Sequence, residues 1–63
     1  MIVIKHKTTN NYWCYKDLTK EWIWVSDLKW AARFISKKEA MEIMIQQKYW
    51  HQLPSVQFIE VER

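Results

Sequence analysis

The sequence contains no glycine. Phosphate-cradling loops need glycine for close backbone approach, so P-loop and dinucleotide-binding fingerprints are excluded. Tight turns must instead use residues that tolerate left-handed dihedrals, chiefly Asn and Asp. Cysteine occurs once, at Cys14, so no internal disulfide can form. A lone thiol without a secretion signal points to a reducing cytosol. The two histidines, His6 and His51, stand far apart with no ligand-spaced partners, which gives no metal motif. No apolar run approaches the length of a membrane span. Residues 1–4 are apolar but run at once into Lys5, His6 and Lys7, unlike a signal peptide. Seven carboxylates against ten Lys and Arg leave a net charge of +3, which argues against a mimic of DNA.

What the chain has is ring surface: five Trp, three Tyr and two Phe in 63 residues. Residues 1–63 make one domain. A chain this short buries only about 60% of the surface its unfolded form exposes, so large side chains must do much of the packing.

The organising stretch is residues 24–40, where strand-like patterning changes to helix-like patterning. Its clearest signal is Ser36-Lys37-Lys38-Glu39, a capping box in which Ser36 accepts from the Glu39 N–H and the Glu39 side chain reaches back to the Ser36 N–H. Upstream, residues 1–7 read as a strand, with Ile2, Ile4 and His6 on one face and Val3, Lys5 and Lys7 on the other. Thr8-Thr9-Asn10-Asn11 is a turn, with Asn at the left-handed positions. Residues 12–16 and 21–25 are strands two and three, joined by Asp17-Leu18-Thr19-Lys20. Trp13 and Tyr15 share one face of the second strand, opposite Tyr12 and Cys14. Trp22 and Trp24 share one face of the third, opposite Ile23 and Val25.

Ser26 or Asp27 caps a short helical segment over residues 28–33, closed by Phe34. The second helix starts after Ser36 and runs to about Trp50 or His51. Its Ala40, Met41, Ile43, Met44 and Ile45 span a broad apolar arc at about 100° per residue. Leu53-Pro54 ends it. Residues 55–62 form the last strand, where Val56 and Phe58 compete with Ile59 and Val61 for the core face. The expected fold class is α+β: a mostly antiparallel, four-stranded sheet, ordered βββααβ along the chain, with the helices packed on one face.

The pattern formed by Trp13, Trp24, Ser26, Asp27, Leu28, Ala31, Phe34, Ser36, Glu39, Ala40 and Val61 resembles a class of very small bacteriophage proteins. Members read close to W-T-x-D-L-x-x-A-x-x-F-x-T-x-x-E-A before a terminal strand. The similarity covers nearly the whole chain, and most matched positions are caps and core contacts. One departure is Asn10-Asn11 in the first turn, where glycine is usual. The resemblance implies an inhibitor of host machinery, such as a bacterial defence component, acting in the host cytoplasm.

Four features could carry function. Alternation puts rings on both sides of the strands, and helices cover only one side, so Trp13 with Tyr15 or Trp22 with Trp24 could form an open partner patch. The bland alternative is that a small core needs them all. Trp30 reads as partly exposed. Basic residues near the rings, among them Lys16, Lys20 and Arg33, suit either a partner surface or single-stranded nucleic acid, or are simply solvated. Cys14 with His6 across the first hairpin is conceivable as a nucleophilic pair, but a lone cysteine is more often an apolar filler. Glu60 and Glu62 share one face of the last strand and fit a solvated edge better than acid–base work. The reading is therefore a non-enzymatic interaction protein without cofactor or metal. It binds through Trp13, Tyr15, Trp22, Trp24, Trp30, Lys16, Lys20 and Arg33 to a host protein, or to a second copy of itself. The alternative is a small nucleic-acid-binding module.

Overall fold

The structure, a computed structural model, describes residues 1–62. It is an α+β fold with one antiparallel four-stranded sheet. Strands β1 (Ile2–His6), β2 (Tyr12–Lys16), β3 (Glu21–Val25) and β4 (Val56–Glu60) lie in the order β3-β2-β1-β4. Among the described residues a single α-helix, α1 (Lys37–Gln46), packs on one face. Two 3₁₀ segments, Leu28–Trp30 and Trp50–Ser55, complete the chain. Strands β2 and β3 have the bounds that the ring-rich runs imply, while β4 is shorter at both ends than residues 55–62.

The residues expected to form a helix over 28–33 instead make one 3₁₀ turn and then become extended. Asp27 accepts from the Lys29 N–H at 3.0 Å and starts the turn, but Ala31 already has extended dihedrals (φ −63°, ψ 140°). The reason is a gap in the sheet. β1 and β2 pair only at Lys5 and Tyr12 and then diverge. Residues 31–34 enter that gap. The Ala32 N–H donates to the Trp13 carbonyl at 2.9 Å, and Ile2 and Phe34 exchange both backbone bonds at 2.7 and 2.8 Å. Backbone groups that a helix would have satisfied internally are satisfied by two strands instead.

The cap at Ser36 is present, with its hydroxyl accepting from the Glu39 N–H at 3.2 Å. The return bond differs from a regular capping box: Glu39 Oε1 accepts from the Ile35 N–H at 3.3 Å, one residue earlier than Ser36. The helix stops at Gln46, well short of Trp50, because Lys48 turns left-handed (φ 66°). The Tyr49 N–H donates to the Met44 carbonyl and the Lys48 N–H to the Ile45 carbonyl, which is the Schellman arrangement of a helix end. Glycine is its usual residue; here lysine takes the position. Lys20 (φ 58°) does the same in the β2–β3 turn, while Asn10 (φ 62°) serves the β1–β2 turn. His6 Nδ1 supports that first turn by accepting from the Thr8 and Thr9 N–H groups at 3.2 and 3.4 Å.

Opposed residues in an antiparallel pair share a face, so the registers sort the sheet. Trp13 opposes Trp24 and Tyr15 opposes Trp22, while Ile4 opposes Phe58 and His6 opposes Val56. This is the face under α1. Its core joins Ile4, Trp13, Phe34, Ala40, Met44 and Val56, with Trp22, Trp24, Tyr49 and Leu53 packed around them. The ambiguity in the last strand is thereby resolved: Val56 and Phe58 face the helix, and Ile59 faces away, opposite Val3. Trp13 is stacked on Trp22 with ring centres 3.9 Å apart, and Tyr49 meets Trp13 edge-on at 5.1 Å.

Candidate functional site: the uncovered sheet face

The aromatic face is the covered one. Trp13 is fully buried and unavailable to any partner. Trp22 and Trp24 are half-buried in the same layer. Tyr49 Oη donates to the Trp22 carbonyl at 3.2 Å. The expectation that Trp13, Trp22 and Trp24 form an open patch is therefore corrected for Trp13 and restricted for the other two. The cause is size: indoles bury the most apolar area per residue, so the helix settles on the face that carries them. Only Tyr15, tilted against Trp22 at 5.0 Å, reaches solvent appreciably from this set.

The opposite face lies away from α1. The registers place Val3, Lys5, Tyr12, Cys14, Lys16, Glu21, Ile23, Val25, Gln57 and Ile59 there. Val3 is fully buried on this side, Tyr12, Cys14, Ile23, Val25 and Ile59 are half-buried, and together they form a mostly aliphatic floor. Part of it deepens into a groove of about 430 Å³, lined by Cys14, Tyr15, Lys16, Asp17, Leu18, Ile23, Val25 and Trp30. Two side chains stand up at this groove: Leu18 in the β2–β3 turn is 90% exposed, and Trp30 is 63% exposed. Trp30 has its place because residues 31–34 are drawn into the sheet gap, so the 3₁₀ turn before them ends beside the floor.

Charge is distributed unevenly over the two faces. By the pairing and the alternation along each strand, Lys5 and Lys16 sit on the uncovered side, and Arg33 follows there because its neighbour Phe34 points to the core; Lys7, just past β1, donates from its Nζ to the Pro54 carbonyl at 3.3 Å. Glu21, opposite Lys16, is the strand carboxylate on that side, Asp17 lines the groove from the β2–β3 turn, and Glu60 is on the other face. Among the described residues the one ion pair joins the Met1 ammonium to Glu60 at 2.7 Å, so none of these cations is neutralised by a carboxylate. Lys5 Nζ lies 5.9 Å from the Tyr12 ring centre and Lys29 Nζ 5.4 Å from that of Trp30. Arg33 Nη1 donates to the Ala31 carbonyl at 2.9 Å. Lys20 is exposed in the β2–β3 turn.

The sequence-derived set is thus divided. Trp30 and Lys16 meet at the groove, which Tyr15 borders while its ring lies against Trp22 on the other face; Lys20 and Arg33 lie on the exposed periphery; Trp13, Trp22 and Trp24 belong to the core layer. Alternation alone had placed Cys14, Ile23 and Val25 on the face opposite the tryptophans. The missing step was to let the larger rings decide which face the helix takes. Leu18 carried no pattern that could have singled it out.

Cys14 and His6 are not brought together. Cys14 Sγ points at the Tyr15 carbonyl, 3.7 Å away. His6 lies on the other face, edge-on to Trp24 at 5.3 Å, so the two sides of the sheet separate it from Cys14. No group of three metal-ligating side chains occurs among the described residues, and no helix among them is long and apolar enough to cross a membrane. No protein-family model matches the chain, and comparisons with curated proteins and with solved structures find no match.

Proposed function

We propose that this is a small interaction protein whose uncovered sheet face binds and blocks a protein of a bacterial host, in the host cytoplasm. The observation that carries the proposal is the groove, where Leu18 and Trp30 stand exposed over a floor of Cys14, Ile23 and Val25. A standing indole beside an apolar recess is the usual composition of a binding hot spot. A rim of unneutralised lysines supplies steering and selects against basic partners. The resemblance to small phage proteins supports a bacterial partner, and a component of host defence is the role that class suggests.

Single-stranded nucleic acid is the second reading, favoured by lysines set over the Tyr12 and Trp30 rings. The floor argues for protein. Bases stack on rings, whereas this floor is largely aliphatic and the strand tryptophans face the other way.

The test compares the full chain with Trp30→Ala and Lys16→Glu in co-purification from nuclease-treated bacterial lysate. One host protein should be retained by the parent chain and lost by both variants, with melting curves unchanged. Retention by both variants, or loss of the signal on nuclease treatment, would contradict the proposal.

A further inference from the structure

We infer that the partner supplies an extended acidic segment that adds as a fifth strand on the outer edge of β3, seating one apolar side chain in the groove beside Trp30. This rests on the uncovered face being a protein contact surface, and it names what that surface holds.

β3 ends the sheet order, so one of its edges has no strand beside it. Among the described residues its backbone bonds only to β2, apart from the Trp22 carbonyl taken by Tyr49 Oη. Natural sheets usually blunt such an edge with proline, a bulge, or charge within the strand. β3 reads Glu-Trp-Ile-Trp-Val, pairs with β2 in unbroken register, and carries its only charge at its first residue. It is therefore a template for strand addition. The groove lies on the same strand, since Ile23 and Val25 form part of its lining. In strand addition, main-chain bonds supply affinity and pockets for alternate side chains supply selectivity. Here one recess meets one alternate position.

Charge sets the sign of the segment. The uncovered face carries Lys5, Lys16 and Arg33 against Glu21, with Asp17 also lining the groove, so it stays net basic, and none of these makes an ion pair among the described residues. A second copy of this chain is the poorer occupant, because it carries the same net charge of +3 as the chain it would meet.

The experiment uses the full chain and a blocked seven-residue peptide that alternates leucine with glutamate. Binding is followed by tryptophan fluorescence, and protection by amide exchange of Trp22 and Trp24, whose backbone groups face the outer edge. Two further peptides carry N-methyl groups on one or the other set of alternate amides. The expected result is binding with β3 amides protected. Methylation of one set should weaken binding on the order of tenfold or more, and methylation of the other should leave it nearly unchanged. Equal tolerance of both sets, or unprotected β3 amides, would overturn strand addition while leaving the lysate result above untouched. Tighter binding of a leucine–lysine peptide would overturn the acidic assignment. No binding by any peptide would overturn the inference as a whole. Protection of β3 in a peptide-free dimer would overturn it in favour of a second copy.

Discussion

Trp13 offers a sharp test of how this core is balanced. Its ring is fully buried, yet its Nε1–H has no acceptor among the described residues. Burying a tryptophan side chain removes roughly 150–250 Å² from water. At about 25 cal/mol per Å² that is ~4–6 kcal/mol as an upper figure. Trp→Ala substitutions in cores typically cost about 3–5 kcal/mol, while a domain of this length holds only ~3–9 kcal/mol in all. Trp13→Ala should leave the chain largely unfolded. Trp13→Phe should behave very differently. It gives up roughly 1–2 kcal/mol of ring burial but also removes a buried donor whose desolvation costs about 1–3 kcal/mol. The two terms nearly cancel, so Trp13→Phe should lie within ~1 kcal/mol of the parent. Urea unfolding followed by far-ultraviolet circular dichroism measures this directly when each variant is fitted to its own folded and unfolded baselines. A loss of about 3 kcal/mol or more, as large as that expected for alanine, would show that the indole N–H is satisfied after all and refute the reasoning.

Other expectations follow from named positions. Lys48→Gly relieves a left-handed lysine at the end of α1; the relief of about 1–2 kcal/mol outweighs glycine's extra chain entropy of roughly 0.5–1 kcal/mol, so the melting temperature should rise by about 2–8 °C. Lys20→Gly should act in the same direction, and the two should add, being on separate turns. Ser36→Ala removes the hydroxyl that caps α1 and should cost about 1 kcal/mol in denaturant unfolding. Trp30→Ala touches a mostly exposed ring and should shift stability by less than about 1 kcal/mol.

Much of the fold was legible in the residues, for local reasons. Short ring-rich runs bounded by turn residues marked β2 and β3, and Ser36 marked the start of α1, because both signals act within a few residues. The gap between β1 and β2 was not legible. It depends on residues 31–34 finding Ile2 and Trp13, contacts far apart in sequence, and Leu28, Ala31 and Ala32 have a helical spacing that points elsewhere. The end of α1 is not legible, because nothing at Lys48 announces a left-handed turn when glycine is missing. The site was half legible. The residues on each strand face could be sorted, but choosing the covered face required weighing indole area against aliphatic area. That weighing puts the aromatic side chains inside and leaves the aliphatic and basic side for contact.

The account stands or falls on which side of the sheet meets the partner. A photoreactive phenylalanine analogue can replace Ile23 on the uncovered face or Ile45 on the exposed flank of α1. Irradiation in bacterial cells should yield one discrete cross-linked host protein from position 23 and none from position 45. A discrete product from position 45, with position 23 silent, would contradict the account.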